Sequence, residues 1–147
     1  MLARLFEVSE TRGKGKGLFA RDLVPKGMAV FFECQPCRKI TKTGFQLLPE
    51  DEKNFILKYG YVKADGSYLV PCDEIIYLNH SCNANTLDFG RGFDIVVRDI
   101  AKGEEATYDH RLFHDSDDLP FQCLCRENVC CGIVRCVHPP LEELAIF

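Results

Sequence analysis

The sequence predicts a single, mainly β domain with a little helix, and three observations lead there. Strand-sized runs rich in β-branched and aromatic residues recur along the chain, each fenced by Gly, Pro or Asp. One stretch has the pattern of a full helix. The 147 residues, 46% of them apolar, are enough to bury one core without disulfides to support it.

The runs, in order, are LARLFEV (2–8), GLFARD (17–22), MAVFFEC (28–34), SYLVPC (67–72), FDIVVRDI (93–100) and EATYD (105–109). Between them, VPKG (24–27) and IAKG (100–103) place glycine where the chain reverses, and GRG (90–92) is a hairpin turn. The helix is PEDEKNFILKYG (49–60). Pro49 opens its first turn, acidic residues follow, Phe55, Ile56 and Tyr59 share a face, and Gly60 stops it. A shorter helical turn begins at Asp73 and carries Ile75, Ile76 and Tyr77 inward, leaving Asn79 and His80 at its end. The acidic HDSDD (114–118) reads as a solvated loop or hinge.

A formal charge of −4 and a pI near 5.6 argue against a protein that coats nucleic acid or a membrane surface, because phosphate binding needs clustered Lys and Arg. No apolar run is long enough to span a membrane, and MLARLFEVSE lacks the apolar centre of a signal peptide, so the expected location is intracellular. Without export, the nine cysteines are thiols or metal ligands rather than disulfides. Cys72 and Cys136 read as small buried residues, and the Cys34/Cys37 pair reads as core because it lacks an obvious partner pair.

Four segments carry chemistry. YLNHSCNANT (77–86) sets polar residues directly after an apolar segment, so they must satisfy one another or hold something. FQCLCRENVCCG (121–132) places Cys123, Cys125 and Cys130 in the order C-x-C-x4-C, three thiolates able to converge on one tetrahedral zinc. Spacing leaves the fourth ligand open among Cys131, Cys136, His138 and the distant Cys82. RGKGKGLFA (12–20) alternates glycine with basic residues before an apolar strand, which lets backbone approach a ligand closely, but it is neither G-x-G-x-x-G nor a P-loop. In KGEEATYDHRLF (102–113), Tyr108 and His110 alternate around Asp109 and would share one face of a strand, where a phenol and an imidazole can orient or shuttle a proton.

In order, Gly-x-Gly-Leu-Phe-Ala, Asn-His-Ser-Cys-x-x-Asn, Glu-x-x-Tyr-Asp and Cys-x-Cys-x4-Cys resemble a SET domain followed by its post-SET zinc segment, over residues 4–134. This is the family of S-adenosylmethionine-dependent protein lysine methyltransferases. The resemblance implies a fold of several small curled sheets with a knot-like C-terminal crossing and a short zinc-bound tail. It divides the chain into a SET domain (1–113) and a post-SET segment with the C-terminal tail (114–147). It implies that Gly15, Lys16 and Gly17 contact the cofactor through backbone, that Asn79 and His80 hold it with Asn79 near the adenine, and that Leu124 covers the adenine. It also makes Cys82 the fourth zinc ligand beside Cys123, Cys125 and Cys130.

Methyl transfer from a sulfonium is an in-line displacement that needs an aligned, neutral lysine amine. From a pKa near 10.4, freeing that amine at pH 7.4 costs about 4 kcal/mol, and an apolar channel beside a sulfonium lowers the cost. Tyr108, Tyr77, Phe113, Phe121 and Phe45 are the aromatic candidates for such a channel. The resemblance implies a lysine-bearing protein such as a histone as partner, and the acidic balance favours a basic one, with neither nucleic acid nor membrane. Three positions depart from the family. His110 stands where the catalytic tyrosine usually does, with Tyr108 at the preceding tyrosine position that tunes methyl number; Cys34 replaces an active-site tyrosine; and Ile76 replaces an arginine. These departures motivate an alternative reading, a weakly active or inactive module that keeps the zinc and binds a protein partner.

Overall fold

Strands β1 (Phe6–Thr11) and β2 (Gly15–Ala20) pair antiparallel, from Phe6 opposite Ala20 to Thr11 opposite Gly15. The structure is a computed structural model describing residues 4–32, 37–63, 65–89, 92–112 and 120–135. Strand alternation sends Phe6, Leu18 and Ala20 into the core and Glu7 and Ser9 outward. The expected VPKG and IAKG turns lie side by side, because Val24 and Ile100 exchange both backbone hydrogen bonds at 2.9 Å in an antiparallel bridge.

After β3 (Ala29–Val30), strand β4 (Arg38–Ile40) enters a separate small sheet. Helix α1 (Lys42–Gln46) follows, capped by the Thr41 side chain, which accepts from the Gly44 N–H at 3.0 Å. Helix α2 (Glu50–Tyr59) runs where expected, from Pro49 to Gly60, with three acids in its first turn. Of its expected apolar face only Ile56 is buried; Phe55 is 46% exposed and leans on Tyr59 with ring centroids 5.0 Å apart. Strands β5 (Tyr61–Val62) and β6 (Tyr68–Val70) complete a sheet of order β4-β6-β5. Ile40, Ile56 and Val70 form its core, and Phe45 stacks on Tyr68 against it at 4.3 Å. Phe45, a candidate channel wall from sequence, therefore packs in this second core.

The chain then makes a 3₁₀ turn, Glu74–Tyr77, capped by the Asp73 carboxylate on the Ile75 N–H at 3.2 Å. Strands β7 (Asn79–His80), β8 (Thr86–Asp88), β9 (Asp94–Val96) and β10 (Glu105–Tyr108) follow, then a second 3₁₀ turn, His110–Leu112. The seven-stranded sheet has the order β1-β2-β10-β8-β9-β3, with β7 also on β10. Strand β10 runs antiparallel to β2 and parallel to β7 and β8, so three sequence-distant motifs meet along four residues. Leu18, Val24, Val30, Val96, Ile100 and Ala106 form the main core. In the tail, β11 (Phe121–Gln122) pairs with β12 (Ile133–Val134).

Two cysteine expectations change. Cys72 is exposed rather than buried, because it lies past the end of β6. Cys37 does have a partner, with its sulfur 3.9 Å from that of Cys72, since antiparallel pairing of β4 with β6 brings the strand ends together. Cys34, Cys136, His138, Phe113, the HDSDD loop and the first two residues of the GRG turn lie outside the described residues. Among those described, no helix is long and apolar enough to cross a membrane.

Candidate cofactor and metal site

The glycine strand and the Asn-His motif are tied together by one side chain. The Asn79 amide donates its two N–H groups to the Lys16 carbonyl at 2.8 Å and to Glu105 Oε1 at 2.7 Å, while Lys14 Nζ holds Glu105 Oε2 at 2.6 Å. A Cβ on Gly17 would stand 2.6 Å from both Glu105 Oε1 and Thr11 Cγ2 and 3.0 Å from Asn79 Nδ2, so this junction requires glycine. Gly15 sits at φ 75° with open space around it. Strand β10 pairs with β2 at Leu18 and Phe19, so among the described residues the Gly15–Gly17 backbone has no strand on that flank.

The motif's last residue, Asn85, is fully buried and stands in for a strand. Its Oδ1 accepts from the Thr107 N–H at 2.7 Å and its Nδ2 donates to the Glu105 carbonyl at 2.8 Å, satisfying β10 backbone where β7 has ended. The polar run of the sequence thus largely satisfies itself, and in doing so it holds the sheet in register.

Past Tyr108 the expected strand stops. The Asp109 carboxylate accepts from the Arg111 N–H two residues on at 3.1 Å, an Asx turn that draws the chain off the ladder into its 3₁₀ turn. His110 is therefore not a strand neighbour of Tyr108, yet their ring centroids lie 6.1 Å apart. His110 Nε2 meets the Leu78 carbonyl at 3.2 Å. Burial, with nearby His80, pushes the His110 imidazole down to about 4, so it is neutral at physiological pH. The Tyr108 phenol is pushed well up, first by burial and then by the charges of Asp88, Asp94 and Asp109, so it stays protonated. Asp94 faces Asp88 across the β8–β9 pair, and burial together with that neighbour raises its carboxyl to about 7.

His80 links this cluster to the cysteines. Its Nδ1 accepts from the His110 N–H at 3.2 Å and lies 3.6 Å from Asp109 Oδ1, and its Nε2 is 3.3 Å from the Cys82 sulfur. Burial pushes its pKa down. Burial alone would raise the Asp109 carboxyl, but the two-pronged Arg111 guanidinium and the Arg111 N–H outweigh it and hold the carboxyl low. Phe121 of the tail closes over both imidazoles, with ring centroids 6.1 Å from His80 and 6.0 Å from His110.

The ligand atoms of Cys82, Cys123, Cys125 and Cys130, the four named by the resemblance, all lie within 4.8 Å of one another and could hold a metal ion. Arg126, at φ 61°, takes the left-handed turn that lets the knuckle reverse between Cys125 and Cys130. The Cys123 thiol is buried and pushed up. Burial would raise Cys125 too, but backbone N–H groups at Cys82 and Glu127 outweigh it and bring that thiol to about 7, toward the thiolate a metal needs. His80, Cys82, Cys123 and Cys131 make a second compact set.

Of the remaining residues expected from sequence, Leu124 is 43% exposed beside the knuckle, and Tyr77 takes the Lys16 ammonium over its ring at 5.2 Å. A cavity of about 770 Å³ opens beside Lys16 and Tyr77 between β1 and α2, but Tyr108 and His110 do not line it, so its size does not mark the reacting centre. Sequence reasoning left Glu105, Asp109, Arg111 and Asp94 without roles. Glu105 and Asp109 were signalled only as letters of the Glu-x-x-Tyr-Asp motif.

The SET domain family model matches residues 15–111. No curated protein matches the chain. Among solved structures, the chain is similar in fold to the crystal structure of the methyltransferase domain of human Histone-lysine N-methyltransferase SETMAR, at a TM-score of 0.60 and 22% identity. The match covers 89% of this chain and 58% of that one, so the present chain spans somewhat over half of its neighbour. With the family model spanning most of the sequence and its motifs meeting on one strand, the chain belongs to the SET domain family.

Proposed function

We propose that the chain is an S-adenosylmethionine-dependent protein lysine methyltransferase acting on a basic, lysine-bearing protein such as a histone. Residues 1–113 are its SET domain and 114–147 its post-SET zinc segment and C-terminal tail. One observation carries the reading: the tail's thiols meet Cys82 while Phe121 covers His80 and His110, which gathers glycine strand, Asn-His motif, Tyr108 and tail around one place.

The residues fit both groups the reading requires. The backbone of Gly15, Lys16 and Gly17, next to Asn79 and His80, would hold the cofactor, with Leu124 over the adenine. Because both Asn79 amide protons are engaged, its contribution is to fix the Lys16 carbonyl and the Glu105 carboxylate. Cys82, Cys123, Cys125 and Cys130 would hold a structural zinc. The cofactor, when bound, supplies a methyl group on a sulfonium. The protein's own work is to align the lysine nitrogen and to favour its neutral form. Tyr108, kept protonated, serves as a hydrogen-bonding wall and not as a base. His110, neutral and with Nε2 at the Leu78 carbonyl, orients and desolvates rather than carrying the proton away. The lysine proton leaves to water, helped by burial and by the sulfonium charge.

The test is transfer of labelled methyl from S-adenosylmethionine to histone and other lysine-rich proteins by the zinc-loaded chain. Transfer that falls or changes methyl number in Tyr108→Phe and His110→Ala supports the reading, whereas identical transfer by both variants removes these residues from it. A second reading, an inactive module that binds a protein partner, is favoured by the burial of Tyr108 at 3% exposure. Saturable cofactor binding with no transfer to any lysine protein would select it.

A further inference from the structure

The cysteine cluster holds more ligands than one zinc uses. His80, Cys82, Cys123 and Cys131 have ligand atoms within 4.8 Å of one another, as do Cys82, Cys123, Cys125 and Cys130, and the two sets share the Cys82 and Cys123 sulfurs. Those shared sulfurs are 3.8 Å apart, and Cys131 Sγ is 3.4 Å from Cys82 Sγ. We infer that the chain carries a second metal position, formed by His80 and Cys131 on the shared Cys82–Cys123 edge, so that these two thiolates bridge a pair of zinc-type ions. This rests on the reading of the first four thiols as a zinc site.

Three features of the surroundings fit a second ion. A metal on His80 Nε2 would place the ring proton on Nδ1, which now accepts the His110 N–H, and the Asp109 carboxylate, 3.6 Å from that nitrogen, stands near enough to take up the proton's hydrogen bond on a small shift. His80 is 5% exposed, so the imidazole that would complete the set is held inside the fold. The charge also improves. One divalent ion among four thiolates leaves two negative charges uncompensated, and a second ion taken up with the Cys131 thiolate leaves one. Occupancy would have a consequence for the lysine side of the site. With Nδ1 protonated, His80 no longer accepts the His110 N–H it meets at 3.2 Å, so the second ion would be felt in the turn that carries His110.

The experiment is an anaerobic titration of the reduced full chain with cadmium-113, followed by cadmium NMR and metal analysis, on wild type and Cys131→Ser. The expected result is two bound equivalents with two resonances, one from an all-sulfur site and one shifted by an imidazole ligand. Cys131→Ser should keep the all-sulfur resonance and lose the other. Saturation at one equivalent with a spectrum unchanged by Cys131→Ser would overturn the second position while leaving the first intact. A second equivalent that persists in Cys131→Ser would also overturn it, by placing that ion elsewhere. No bound cadmium would overturn both positions.

Discussion

Replacing Asp94 by Asn should stabilise the protein far more at alkaline pH than in acid. Asp94 lies on β9 between β8 and β3, directly opposite Asp88, and burial with that neighbour raises its carboxyl from 3.8 to about 7. The folded state therefore keeps a proton that the unfolded chain releases. Stability contributed by this group falls as pH rises from about 4 to about 7, and the full penalty is present above that window. The interval from 3.8 to about 7, at about 1.36 kcal/mol per tenfold change, sets a ceiling of about 4 kcal/mol. Local relaxation and water entry reduce it, so the expected gain from Asp94→Asn at pH 8 is about 1–3 kcal/mol. Urea unfolding of wild type and variant at pH 4.5 and pH 8, both zinc-saturated, gives the difference directly and cancels the pH dependence of metal binding. A difference equal at the two pH values would refute the reasoning, because an effect of shape or propensity alone does not titrate.

Other perturbations follow from the same contacts. Gly17→Ala drives a methyl into Glu105 and Asn79 and should cost about 1–3 kcal/mol in thermal or urea unfolding; an unperturbed midpoint would show that the junction yields freely. Asn85→Ala leaves the Thr107 N–H and the Glu105 carbonyl without their partner in a buried place and should cost about 2–4 kcal/mol; a loss below about 0.5 kcal/mol would mean that water substitutes for the side chain. Chelation of zinc should abolish hydrogen-exchange protection of the Cys123 amide, which donates to the Gly132 carbonyl at 2.8 Å, while core amides such as Ala20 stay protected. Equal protection with and without metal would mean that the tail packs unaided.

The elements that announced themselves in sequence were those whose local chemistry agrees with their place in the fold. Pro49, three early acids and Gly60 bracket α2, and Asp73 caps its turn as written. The cysteine knuckle was legible because its spacing is one a tetrahedral ion would impose; that Cys82 comes beside it was expected only through family resemblance. What stayed hidden depends on tertiary partners. Strand β7 is two residues long and exists because β10 lies beside it. Helix α1 has a glycine in its middle and no buried residue, so no apolar period reveals it. His110 was expected on the strand because alternation cannot see that the Asp109 side chain would capture the Arg111 N–H. Asp94 is followed in its strand by the apolar Ile95 and Val96, and nothing local shows that Asp88 will stand opposite.

The most direct test of the central claim is calorimetric titration of the zinc-loaded chain with S-adenosylmethionine, because it needs no choice of protein substrate. The account predicts saturable one-to-one binding that weakens in Cys125→Ser, whose tail is released from the site. No heat of binding at millimolar cofactor, from protein whose zinc and fold are intact, would contradict it.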